Sequence, residues 1–134
     1  MRAARALALL LVAALSGCSS LHETRAQDQP SAAPSTTVLQ QGRASWYGLA
    51  FHGRKTASGE PFDMNALTAA HPTLPFGTLL VVRNPANGRS VTVRVNDRGP
   101  YSGDRIIDLS FAAARAIGIV GFGTKTVVLS LVPR

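Results

Sequence analysis

Polar and apolar residues alternate most regularly from Ser90 to Asn96, where Val91, Val93 and Val95 share one face and Ser90, Thr92, Arg94 and Asn96 the other. That period of two predicts a strand with one buried face. Similar patterns predict strands at Arg43 to Tyr47, Leu67 to Ala70, Thr78 to Arg83 and Thr126 to Val132. Asn87-Gly88 falls between two of these and signals a hairpin, with a loop longer than two residues. A single stretch, Phe111 to Ile117, reads as a helix, with Ser110 as its N-cap and Gly118 just past its end. The pattern predicts a mainly β domain over residues 41–134 with one short helix. Closing its sheet into a barrel would leave no exposed edge.

The chain upstream has a different character. Arg2 and Arg5 precede an apolar run from Ala6 to Leu15 that ends on Leu15-Ser16-Gly17-Cys18. A positive start, a short apolar stretch and a small-residue finish are the anatomy of a secretory signal over residues 1–17. The run is too short to cross a bilayer, which takes roughly 20 apolar residues. "LSGC" resembles the lipobox of bacterial lipoproteins, which implies cleavage before Cys18, acylation of that residue and attachment to a membrane. Ser19 follows the cysteine in place of Asp, and by the same resemblance this implies the periplasmic face of the outer membrane. Cys18 is the only cysteine, so no intramolecular disulfide is expected. Residues 19–40, rich in Ser, Thr, Ala, Gln and Pro, read with Cys18 as a lipidated, flexible tether. If fully extended, a tether of about 22 residues reaches roughly 75 Å.

Taking Arg2 and Arg5 from the chain's 14 Lys and Arg leaves 12 against 7 Asp and Glu, a net charge of +5. A basic surface suits an anionic partner. Export argues against nucleic acid, so the expected partners are wall polymer and anionic lipid. The acids and histidines are scattered without metal-ligand spacing, and neither a metal nor another cofactor is expected.

The strand at Ser90 to Asn96 ends in an anomaly. Continued alternation puts Asp97 on the valine side, where an apolar residue belongs. Two readings stand: Asp97 accepts backbone hydrogen bonds in the turn before Gly99-Pro100, or it is a partly buried acid. The second has a requirement, because an unperturbed Asp carries a proton only about one time in a thousand at pH 7. Burial and a neighbouring carboxylate both favour the protonated form.

The segments "GRASWYG", "FHGRKTASGEPFDMNALTAAHPTLPFGT", "NGRSVTVRVNDRGPY" and "IIDLSFAAARAIG" together resemble the rare lipoprotein A (RlpA-like) family over residues 42–132. The resemblance implies a six-stranded double-psi β-barrel with one or two short helices, and lytic transglycosylase activity on peptidoglycan glycan strands. It implies Asp97 of "NDRG" as catalytic acid/base, supported by Glu60 of "ASGE" and His71 of "TAAH". Glu60 would then raise the proton affinity of a nearby acid or bind sugar hydroxyls, and His71 would orient a carboxylate or bind the glycan. The barrel is similar to those of expansins and certain endoglucanases, which implies a glycan groove with Ser45, Tyr47 and Asp108 facing it and Trp46 in the core. Tyr101 and Arg98 are further groove candidates beside Asp97, and Arg94 or Arg98 would meet stem-peptide carboxylates. Many RlpA-like proteins carry a C-terminal SPOR domain, which is expected to be absent here because the chain ends two residues after its last predicted strand. Two functions follow: an enzyme cutting glycan to 1,6-anhydro-N-acetylmuramic acid ends, or an expansin-like module that binds and remodels the wall without cutting it.

Overall fold

In the computed structural model, residues 36–101 and 103–133 are described, so the expected signal sequence over residues 1–17 and the expected lipidation site Cys18 lie outside them. Six strands form a closed barrel: β1 (Val38–Tyr47), β2 (Thr68–Ala70), β3 (Leu79–Arg83), β4 (Ser90–Asp97), β5 (Arg105–Ser110) and β6 (Lys125–Leu131). Around the barrel the order is β1-β5-β2-β4-β3-β6, with β6 closing onto β1. The β1–β5 and β2–β4 pairs are parallel and the others antiparallel. Among the described residues, one helix, α1 (Phe111–Ala116), and a single 3-10 turn, Leu49–Phe51, complete the elements. This is the mainly β, six-stranded barrel that the family resemblance implies.

The barrel interior is aliphatic. Ala44, Ala69, Leu80, Val82, Val93, Val95, Ile107, Leu109, Val127 and Leu129 are fully buried or nearly so, α1 adds Ala113 and Ala114, and its C-cap adds Ile117. Small residues on the helix let it sit close against the sheet. Ser110 caps α1 as expected, its Oγ accepting from Ala113 N at 3.2 Å while its hydroxyl donates to Ala66 O at 2.6 Å. The other end of the helix is tied to the β3–β4 loop, where Asn84 and Asn87 both donate side-chain amides to Ile117 O, at 2.9 and 3.0 Å. Gly88 of that loop has φ +75°, a left-handed conformation that glycine adopts without steric cost.

Three local expectations change. β1 starts at Val38, inside the stretch read as tether, because residues 38–44 pair with β6. Val38 to Gln41 are exposed, so pairing rather than burial makes them a strand. β5 was not anticipated at all. Arg43 pairs with Arg105 but Ala44 with Ile107, so Ile106 is an extra residue in the β1–β5 ladder, and it interrupts the short alternation of Ile107, Asp108 and Leu109 that would have marked the strand.

The third change concerns the end of β4. Ala69 pairs with Val95 but Ala70 pairs with Asp97, so Asn96 is an extra residue in the β2–β4 ladder. Such a bulge re-aims the side chains beyond it. Asn96, expected on the polar face, is 2% exposed, whereas Asp97 leaves the valine core and is only half-buried.

Leu109 joins the β1, β2 and α1 sides of the core, through its register with Trp46 and Ala69. Leu109→Ala is expected to lower unfolding free energy by about 2–5 kcal/mol, read from the denaturant midpoint at unchanged slope.

Candidate active site

Neighbouring strand ends hold one cleft of about 340 Å³. β1 supplies Ser45, Trp46 and Tyr47, β2 Ala70, and β5 Arg105 and Asp108, while Asp97, Arg98 and Phe51 complete the lining. The register explains the convergence. Ser45 pairs with Asp108 across the parallel β1–β5 ladder, and Ala70 pairs with Asp108 on one side and Asp97 on the other. The layer beneath, Ala44, Ile107, Leu109, Ala69 and Val95, is core. Alanine at position 70 keeps the floor between the two carboxylates low.

The two acids are held differently. Asp97 Oδ1 accepts from the amides of Ala57 at 3.0 Å and Arg98 at 2.8 Å. Both sequence readings therefore meet in one residue, a carboxylate fixed by backbone donors and facing the cleft. Asp108 is paired with Arg105, whose Nη1 lies 2.8 Å from Oδ1. Burial nevertheless holds the Asp108 carboxyl above the usual carboxylate range, with Arg105 opposing. The Tyr47 hydroxyl is buried with no hydrogen-bond partner among the described residues. Burial first, then the charges of Asp97 and Asp108, push its pKa upward and keep it a proton donor. Its ring packs against Phe62 at 4.3 Å and Phe51 at 5.8 Å.

Other candidates flank this cleft. Glu60 faces Arg94, with Oε1 2.7 Å from Nη1 and Oε2 3.3 Å from Nη2. Hydrogen bonds from Arg94, and then from Asn96, hold its carboxyl below the usual range. Arg98 lines the cleft but spends its guanidinium on the carbonyls of Leu74, at 2.7 Å, and His71, at 3.1 Å, and lies 4.1 Å over the Phe76 ring. Trp46, expected in the core, both packs against it and lines the cleft. Tyr101 is 84% exposed and outside the lining.

His71 is buried, and its Nδ1 accepts from the amides of Thr73 and Leu74 at 3.2 and 3.1 Å. Nδ1 thus acts as an acceptor, which leaves the proton of the neutral ring on Nε2. Its backbone amide donates to Asp97 O at 3.2 Å, so it braces the strand end that carries the acid. Arg105, Ala70 and Phe51 went unnoticed in the sequence. Arg105 stands three residues before Asp108, a spacing that puts side chains on opposite faces of a regular strand, and the extra residue at Ile106 is what brings the two together.

The sequence profile of the lytic transglycolase family matches residues 39–129. A probable endolytic peptidoglycan transglycosylase RlpA of Synechocystis sp. is 59% identical over 101 residues, 75% of this chain and 32% of its own. The endolytic peptidoglycan transglycosylase RlpA of Neisseria meningitidis serogroup A is 61% identical over 88 residues, 66% of this chain and 37% of its own. The chain thus spans about a third of the length of these curated relatives. Among solved structures, the Streptomyces papain inhibitor matches with a TM-score of 0.56 and 26% identity, over 72% of this chain and 98% of that one. A Clavibacter michiganensis expansin matches with a TM-score of 0.55 and 27% identity, over 69% of this chain and 49% of that one.

Burial and the nearby Arg98 charge lower the His71 pKa on folding. As pH falls below about 6.5, the unfolded chain therefore takes up this proton first and stability declines. His71→Asn keeps an acceptor for the two amides but does not titrate. Denaturant midpoints at pH 7.5 and 5.5 are expected to fall further for wild type than for this variant.

Proposed function

The chain belongs to the lytic transglycolase family, and from that membership and the cleft we propose that its barrel cuts peptidoglycan glycan strands, with Asp97 as general acid/base. The observation that carries this reading is the register that sets Asp97 and Asp108 on either side of Ala70 in one cleft. In the proposed reaction, Asp97 gives its proton to the glycosidic oxygen as the bond from the N-acetylmuramic acid anomeric carbon breaks. The 6-hydroxyl of the same sugar bonds to that carbon and returns its proton to Asp97. The products are a 1,6-anhydro end and a free 4-hydroxyl end. One residue serves both proton transfers, and no water is activated.

Around it, Asp108 and Ser45 offer hydrogen bonds to sugar hydroxyls, and Phe51 offers an apolar face. Asp108 would become the second carboxylate if the reaction were hydrolytic. A second reading is an expansin-like module that grips glycan without cutting it, and the likeness to the Clavibacter expansin favours it. Export, acylation of Cys18 and residence at the periplasmic face of the outer membrane belong to the same proposal.

Two experiments test it. The purified full chain, incubated with peptidoglycan and with peptide-free glycan strands, is expected to release 1,6-anhydromuramic ends detectable by mass spectrometry. Asp97→Asn is expected to lower their rate by about 100-fold or more. Binding without anhydro ends above the Asp97→Asn level would favour the second reading, and reducing ends would indicate hydrolysis. In cells given labelled palmitate, wild type is expected to take up label and Cys18→Ser none; an unlabelled wild type would remove the lipid anchor from the proposal.

A further inference from the structure

The acid/base proposed above is held by an amide from a loop distant in sequence, so something must set that loop. Residues 53–62 fold back on themselves. Gly53 N donates to Phe62 O at 2.8 Å, Phe62 N to Arg54 O at 2.7 Å, and Lys55 bridges to Pro61. Thr56 donates both its amide and its hydroxyl to Glu60 O, each at 2.8 Å, and Gly59 N donates to Thr56 O at 2.9 Å. Thr56 is buried beneath this turn. The segment from Thr56 to Glu60 is therefore a closed unit, and a constraint on Glu60 is carried to Ala57 by hydrogen bonds rather than by slack chain.

This unit meets β4 at three places. Glu60 takes the Arg94 guanidinium in a two-pronged contact, Asn96 meets Glu60 through its side chain and takes Ser58 N on its carbonyl at 3.3 Å, and Ala57 N donates to Asp97 Oδ1 at 3.0 Å. The last contact is on the proposed acid/base itself. Arg94 points away from the valine core, beside the bulge that turns Asp97 toward the cleft. A planar guanidinium matched to a carboxylate fixes orientation as well as distance. An ion pair this exposed contributes little to overall stability, so placement is what it can supply.

We propose that Arg94 is a positioning residue for Asp97: through Glu60 it docks the Thr56–Glu60 turn, and the docked turn holds the Ala57 amide on the Asp97 carboxylate. Glu60 then acts at one remove from the sugar. Loosening the clamp leaves the carboxylate on the Arg98 amide alone, so that it can rotate away from the glycosidic oxygen, which slows the chemical step while the groove that binds glycan stays intact. The inference rests on the enzymatic reading above, but part of its test needs no turnover.

The full chain would be compared with Arg94→Ala, Glu60→Ala, the double variant Arg94→Ala/Glu60→Ala and the charge exchange Arg94→Glu/Glu60→Arg. Amide hydrogen exchange at Ala57 and Ser58 is expected to quicken by about tenfold or more in each single variant. On peptide-free glycan strands kcat is expected to fall with KM nearly constant, and the thermal midpoint should barely move. The double variant should be no worse than either single one, since both remove the same clamp, and the charge exchange should recover part of both kcat and Ala57 protection. Unchanged Ala57 exchange in Arg94→Ala would overturn the proposal. So would a Glu60→Ala variant that loses activity while Ala57 stays protected, which would put Glu60 on the substrate, or losses that add in the double variant. If wild type makes no anhydro ends, the enzymatic reading fails, and exchange alone judges the clamp.

Discussion

Ala70 is hydrogen-bonded into β5 on one side and β4 on the other, opposite Asp108 and Asp97. The rest of the site depends on this junction. A strand's side chains alternate faces, so a one-residue change of register exchanges what is buried for what is exposed. Without the extra residue at Asn96, Ala70 would face an amide and the acid would continue toward the valine core. With it, the layer of Ala69, Val95 and Leu109 stays apolar while the next layer brings two carboxylates to the surface. Closure of the barrel holds the register, because no strand can slip without disturbing both its neighbours.

The charges around this junction are arranged by commitment rather than by number. The chain is basic, with 14 Lys and Arg against 7 Asp and Glu, yet the cleft is centred on acids. Arg105 is committed to Asp108, Arg98 to backbone carbonyls and the Phe76 ring, and Arg94 to Glu60. Asp97 is held instead by amides, which orient a carboxylate without placing a full positive charge against it. Strong ion pairs are thereby kept one residue away from the group proposed to exchange protons.

What the sequence discloses follows from where each signal is written. β4 and the cap of α1 are local facts, legible in the alternation of Val91, Val93 and Val95 and in Ser110 ahead of a run of alanines. β5 is hidden because the extra residue at Ile106 interrupts its alternation, and the first residues of β1 because neither of their faces is buried. The bulge at Asn96 is a property of two strands together, which a reading of β4 alone cannot contain, and it moved Asp97 from an inward aim to the cleft. The contacts of Glu60 with Arg94 and of Ala57 with Asp97 span 34 and 40 positions. Motif resemblance named the acids, but only the fold shows Glu60 against Arg94 and the His71 amide on Asp97 O, both outside the cleft lining.

The first strand has a mechanical side. The described chain enters the barrel at β1, and the far end of that same strand carries Ser45 and Tyr47 into the cleft. A load applied between Val38 and a polymer held in the cleft would run along the covalent backbone of one strand. It would meet the hydrogen bonds to β5 and β6 in shear, shared among many at once, instead of peeling them singly. Hydrogen bonds loaded together in shear resist a pull better than bonds opened one at a time, so tension on Val38 is opposed by the whole β1 ladder rather than by its end.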